Sequence, residues 1–491
     1  MNTFKKKSLN AALAGLTVVG AVGAAQAVNV NPDGLGQVLL YPYYTTRADK
    51  AGNTYSTLIS VVNSTQTTKA VKVRFIEGKN SREVLDFNLF LSPYDVWTAN
   101  IVPNTATGGA GIVTDDTSCT LPKLPSAATA AAPTRKAKDF VNYGYTGSNS
   151  DNADTSLDRT REGYVEIIEM ATYFPGTTTY DETLHDPATS SPNCGTALND
   201  TTAAFEADPL QGGLFGSSTL INVFSGTDFA ANPTVLDNFA TGTDLYFNAG
   251  SISPDLTNVT PKNSVVIANN SIIQSAWTGN AVNPVSAVLM HDQVLNEFVV
   301  DKSIGSATDW VITFPTKRYY VAKGTGPAAG GLFQQNFNGN SGSCDDILLN
   351  IWDREENTIS TPLEFSPPPP TGTSSLCWEA NVLTFAGTNA LGSKNDASKQ
   401  NVPTAFGAGW LNIGFFPSTV TGTVHTLGNA ATSITPIGSA PSAAGTYTYY
   451  GLPLIGFAAI GYQYGALPVT GGTALSNYGG AFAHKVTTRV Q

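Results

Sequence analysis

The sequence predicts a mainly β protein, made of antiparallel β-sandwich domains (Ig-like or jelly-roll-like) with long loops stapled by disulfides. Three observations predict it. Apolar side chains recur with a period of two, as in Val71-Lys72-Val73-Arg74-Phe75, where Val and Phe share one face and the charges the other. Only 13% of residues are charged while Gly, Ser, Thr and Asn are plentiful, the balance of a turn-rich β chain. Four cysteines, an even number, follow an N-terminus that reads as an export signal, which favours disulfides over free thiols.

The signal comes first. Lys5, Lys6 and Lys7 precede a Gly/Ala-rich apolar run over residues 9–24, and Ala25-Gln26-Ala27 offers the small residues that a signal peptidase accepts. A spanning helix needs about 20 solidly apolar residues; this run is shorter and leads into Val28-Asn29-Val30-Asn31. Cleavage is expected between Ala27 and Val28, with the product at the cell surface or outside the cell, or in the periplasm. Position 28 is not Cys, which speaks against a lipid anchor. Loss of residues 1–27 removes three lysines and no acid, taking the formal charge from −11 to −14. Such a chain repels phosphate backbones, so nucleic acid is not an expected partner.

The 464 residues that remain of 491 are too many for one ordinary core. Residues 28–105 read as an N-terminal β-sandwich unit. In it, strands at 58–62 and 71–75 are joined through a polar turn at 63–69, and a strand at 87–91 ends at Ser92-Pro93-Tyr94-Asp95. Residues 106–210 read as a loop-rich insertion bracketed by Cys119 and Cys194. Gly163 and the β-branched residues after it favour a strand inside it at 163–170. A β domain follows over 211–330, with a C-terminal β domain, or its continuation, over 331–491. Strand signals there cover 285–300, 309–321, 344–359, 376–385, 447–465 and 482–490. Pro367 to Pro370 suit an extended polyproline strap, and 419–445 reads as a loop. Pairing neighbours, Cys119 with Cys194 and Cys344 with Cys377, keeps each bond within one domain, each worth about 4 kcal/mol of loop entropy.

Four segments together resemble an uncharacterised family of exported, surface-associated proteobacterial proteins. They are Gly36-Gln37-Val38-Leu39-Leu40-Tyr41-Pro42-Tyr43-Tyr44, Asp158-Arg159-Thr160-Arg161-Glu162-Gly163-Tyr164, Asp309-Trp310-Val311-Ile312-Thr313-Phe314-Pro315 and Leu376-Cys377-Trp378-Glu379-Ala380-Asn381. The resemblance spans most of the chain beyond the leader. It implies an exported, surface-associated protein and brings no assigned activity or functional residues.

Catalytic signatures are sparse. GxSxG, HExxH and CxxC do not occur, and the four histidines, at 185, 291, 425 and 484, are far apart. His291 ends a strand signal and reads as a structural side chain. Gly324-Thr325-Gly326 superficially suggests a nucleotide loop, but Pro327 and the spacing to Gly330 break the pattern. Glu162, Glu166 and Glu169 are candidates for a glycosidase acid–base pair. In a strand, however, Glu166 and Glu169 point to opposite faces, and Arg159 and Arg161 lie near as partners. Asp353-Arg354-Glu355-Glu356 reads as a charged turn. Asp151, Asn152, Asp154 and Asp158 form an oxygen-rich loop that makes calcium the one cofactor to consider, without EF-hand spacing. No catalytic residue, cofactor site or metal site is assigned.

Tyrosines cluster at Tyr41, Tyr43 and Tyr44, and again at Tyr447, Tyr449, Tyr450, Tyr462 and Tyr464 within a stretch, 447–465, that carries no charge. The later cluster is the expected interaction surface, because uncharged strand edges pair with other strands. The leading expectation is a non-catalytic structural or adhesive protein that self-associates or joins other surface components. The alternatives are an extracellular glycan- or small-ligand-binding protein, since aromatic faces stack on sugars, a secreted hydrolase, and an outer-membrane β-barrel. Against the barrel, the chain closes on Arg489-Val490-Gln491 and not on a terminal aromatic.

Overall fold

Runs of Val, Ile, Thr and aromatic residues pair into antiparallel ladders, and the first half of the chain builds two sheets from them. The computed structural model describes residues 26–321, 331–339, 341–358, 374–395, 406–415, 425–437 and 443–491. One sheet has seven strands in the order Asn29–Val30, Thr234–Asp237, Val38–Thr45, Glu162–Tyr173, Thr68–Glu77, Glu83–Leu91 and Cys119–Leu121. The other has six: Thr227–Ala231, Leu214–Asn222, Ser56–Asn63, Val96–Asn104, Gly109–Thr114 and Lys136–Asp139. Val71, Val73, Phe75, Val165 and Ile167 of the first pack with Ile59, Val61, Trp97 and Ile101 of the second. The fold is therefore mainly β and of the sandwich class that the two-residue period predicts.

Strand pairing corrects the expected domain limits. Residues 28–105 are not a complete unit, because Glu162–Tyr173 runs between Val38–Thr45 and Thr68–Glu77. Residues 106–210 also supply Gly109–Thr114, Cys119–Leu121 and Lys136–Asp139, so they are not an excursion. The change of sheets comes after Asp237 and not at 210, since Leu214–Asn222, Thr227–Ala231 and Thr234–Asp237 complete the two N-terminal sheets. The expected hairpin of 58–62 with 71–75 is corrected as well, because those segments lie in opposite sheets. The Asn63 side-chain amide donates to the carbonyls of Thr67, Leu91 and Ser92 (2.7, 3.3 and 2.8 Å), closing a corner that carries the chain across.

The second half forms three larger sheets and a two-stranded one. The first runs Asn263–Ala268, Ser271–Trp277, Thr426–Pro436, Ala443–Tyr450 and Arg489–Val490. Ser374–Leu376, Asp345–Asp353, Ala408–Gly414, Gln293–Val299 and Lys485–Thr487 make the next. Ala380–Thr384, Ser306–Thr313, Ile455–Val469 and Gly472–Ala483 make the third. Three expectations fail here; one is the strand over 309–321, which ends at Thr313 and gives way to a short helix at Arg318–Val321. Residues 283–288 form a short helix with Pro in its first turn, where the fixed φ of proline suits a helix start, and the strand begins only at Gln293. The expected loop at 419–445 contains the strand Thr426–Pro436, whose small side chains fit beside Ser271–Trp277. The segment Pro367 to Pro370 expected to form a strap, Gly324, Thr325 and Gly326, and residues 1–25 of the expected leader lie outside the described residues.

One apolar cluster joins the halves. It includes Val38, Leu40, Ile168 and Leu236 from the first with Val294, Phe298, Trp310 and Phe314 from the second. Both expected disulfides are present, Cys119–Cys194 and Cys344–Cys377. Among the described residues, no helix is long and apolar enough to cross a membrane.

Candidate functional site

The turn between Thr68–Glu77 and Glu83–Leu91 is held from beneath by Glu77, whose carboxylate accepts the backbone N–H groups of Lys79, Asn80 and Arg82 at 2.8–3.0 Å. Arg159 grips the same carboxylate through two parallel bonds of 2.8 and 2.9 Å. It also donates to Asp151 at 3.0 Å and lies 4.3 Å over the Tyr145 ring. Asn80 donates to Asp151 at 2.9 Å. Buried and doubly hydrogen-bonded, these groups fix the turn as a rigid ledge.

Across from the ledge stands the short helix Arg318–Val321 of the second half. The Arg318 guanidinium donates to the Ser81 carbonyl at 3.0 Å and lies 5.1 Å over the ring of Tyr319. Lys317, just before it, is locked away on Asp345 at 2.8 Å. Between ledge and helix lies a cavity of about 490 Å³, with Asn80, Arg82, Asp151, Arg318, Tyr319 and Phe337 in its wall. Two buried polar atoms of that wall, Arg82 Nε and the Tyr319 hydroxyl, have no hydrogen-bond partner among the described residues. The carboxylate nearest Arg82 is Asp151 at 3.9 Å, already bonded to Arg159 and Asn80. Burial pushes the Arg82 guanidinium below its usual range; Asp151 opposes this, and Arg318 reinforces it.

Behind Arg318 the charges are buried and matched. Glu162 accepts from Arg47 at 2.9 Å and from the Tyr43 hydroxyl at 2.8 Å. Glu166 pairs with Arg74, its direct cross-strand neighbour, and Glu169 with Lys69 at 2.7 Å. The partners are thus cross-strand cations and Arg47, not the sequence neighbours Arg159 and Arg161. Burial pushes Glu166 up to about 7, against the pull of Arg74. Glu379 goes further: burial raises it to about 8, Lys317 opposing, and its Oε2 has no partner among the described residues. The three strand glutamates hold three different cations, so the structure does not bring them together as an acid–base pair.

The other sequence-predicted groups scatter. His291 touches Thr488 Oγ1 at 3.2 Å, and burial holds its imidazole down to about 4. His484 donates from Nε2 to the Val311 carbonyl at 3.0 Å, while His425 contacts the Leu332 carbonyl and His185 the Ser92 hydroxyl. In the oxygen-rich loop Asp151 serves Arg159, Asp158 serves Arg47, and Asp154 caps Ser156. Its carboxylates are thus committed to protein donors, and the described residues hold no cluster of three metal-ligating side chains. Val28 is fully buried, its N–H donating to the Asn263 carbonyl at 3.0 Å, and Ala27 is buried beside it.

The tyrosines divide. Tyr41, Tyr43 and Tyr44 are core residues. Tyr449 is buried too, bonded to Ser275 at 2.8 Å and 5.5 Å from the Trp277 ring, which corrects its assignment to a surface. Tyr447, Tyr450 and Tyr462 are half-buried, and the side chain of Tyr464 lies outside the described residues. The exposed rings are on the next strand, Gly472–Ala483: Tyr478 (65% exposed) and Phe482 (51%). Sequence reasoning missed Arg82, Arg318 and Tyr319, because the cavity draws on turns near 80, 151, 318 and 337. The one local signal was the run Lys317-Arg318-Tyr319-Tyr320, cationic and aromatic together. Comparison with protein-family models, curated proteins and solved structures finds no match to this chain.

Proposed function

We propose that this is an exported, non-catalytic protein of the cell surface or extracellular space that works by recognition. It holds a small ligand, or the end of a glycan, between the Ser81 turn and the Arg318–Val321 helix. One observation carries the reading: a single cavity of about 490 Å³ gathers two guanidinium side chains, Arg82 and Arg318, in one wall with the rings of Tyr319 and Phe337. Small ligands bind in cavities of this size, where aromatic surface meets a few convergent polar groups. The leader, the disulfides and the acidic charge support export.

The test uses the mature protein recovered from outside the cytoplasm. Native mass spectrometry and a thermal-shift panel of sugars and small acids are run on wild type and on Arg82→Trp, which plugs the cavity wall. Ligand binding that Arg82→Trp abolishes is the expected result. Binding indifferent to the plug, a cytoplasmic location, or turnover abolished by Glu166→Gln overturns the reading.

A second reading, a structural or adhesive role through strand edges, is favoured by the exposed Tyr478 and Phe482 on a strand, Gly472–Ala483, that carries no charge.

A further inference from the structure

We propose that the cavity is an oxyanion site, in which Arg82 and Arg318 clamp the carboxylate of an acidic sugar, or a phosphate. This rests on the binding reading above and names its ligand class.

Donors dominate the free hydrogen-bonding capacity of the wall. A guanidinium has five N–H donors and no acceptor. Arg318 directs one nitrogen at the neutral Ser81 carbonyl, in the residue next to Arg82, so the two cationic side chains are anchored on adjacent residues of one turn. Glu166, the carboxylate behind Arg318, is held by Arg74. The acid in the wall itself, Asp151, is engaged by Arg159 and Asn80. Two cations are therefore gathered at one cavity while Asp151 and Glu166 are turned to other partners. A cationic ligand meets like charge there, and a neutral one leaves the guanidiniums unmatched. An oxyanion accepts from both forks at once, and such charge-assisted bonds are about twice as strong as neutral ones.

The rings narrow the class. Tyr319 and Phe337 put flat aromatic surface into the same wall, suited to the apolar face of a sugar ring. A volume of about 490 Å³ admits a ligand the size of a sugar residue or two. Arg318, stacked on Tyr319 and tied to Ser81, is preorganised, so little ordering remains for the ligand to impose.

Calorimetry on the mature protein with D-galacturonate, inorganic phosphate and neutral D-galactose tests this. Galacturonate should bind, more weakly in high salt, and galactose should not. Arg318→Gln and Arg82→Gln should each weaken galacturonate binding by about tenfold, the scale of one charge-assisted hydrogen bond. Galacturonate binding without phosphate assigns an acidic sugar; phosphate alone assigns a phosphate ligand; comparable binding of both assigns the bare oxyanion. Equal affinity for galactose and galacturonate, silence toward both anions, or anion binding indifferent to both substitutions overturns the inference. Should Arg82→Trp still abolish binding of some neutral ligand, the cavity remains a binding site and only its anion chemistry falls.

Discussion

Arg74 shows how charge is handled at the scale of one residue. It lies 1% exposed between Glu166 and Glu83, on a face that alternation in the sequence marks as polar. Alternation reports which side chains share a face; it does not report what covers that face. Here the covering comes from residues near 251 and 318, so Lys72 and Arg74 are buried ion-pair partners and guard no edge. Buried carboxyls and imidazoles leave a mark on pH dependence. The Glu379 carboxyl, raised to about 8 in the folded chain, contributes stability that is fully present below its unfolded value, near 4.5, and is lost as pH rises towards 8. His291 and His484, both lowered to about 4 by burial, act in the opposite sense: their contribution is present above about 6.5 and lost as pH falls towards 4. Urea unfolding at pH 5 and pH 8 should show Glu379→Gln gaining on wild type at the higher pH, by no more than about 1.4 kcal/mol for each pH unit. A difference independent of pH counts against a buried, protonated Glu379.

Among the elements, the strand Glu162–Tyr173 was legible and Thr426–Pro436 was not. The first announces itself by β-branched residues after Gly163. There a Cβ would sit 1.9 Å from the Ile76 carbonyl oxygen, so the close approach of two backbones requires glycine. The second is built of Ser, Thr, Ala and Gly, a composition that strands and loops share. The short helix at 283–288 was hidden in an apolar run too brief for its period to register. The long strand Gly472–Ala483 raises a separate expectation. Lysine at Tyr478 and Phe482 together should leave Tm within about 1 °C, since both side chains are exposed. It should also abolish any concentration-dependent association seen by sedimentation velocity. Association that survives the double substitution removes this edge from the adhesive reading, and loss of folding returns the rings to the core.

For the whole molecule, local patterning failed at the boundaries because strand order is not chain order. The 28–105 segment carries strands of both sheets, yet what completes them arrives at 162–173 and 214–237. The cavity was illegible for the same reason, its wall being gathered from four distant turns. The apolar cluster that contains Val38 and Ile168 together with Trp310 and Phe314 predicts cooperative behaviour. Scanning calorimetry of the mature protein should show one transition with equal calorimetric and van't Hoff enthalpies; two resolved transitions would mean that the halves unfold separately.

The place of Glu162–Tyr173 between Val38–Thr45 and Thr68–Glu77 sets a timetable for a chain that emerges N-terminus first, as from a ribosome. The two flanking strands emerge with their inner edges open and stay open until residue 162 and its followers have come out. Over that interval they offer unpaired backbone to any passing strand, the situation in which aggregation competes with folding. A nascent chain halted before residue 162 is thus an open clasp, and a holding chaperone would meet it in that form.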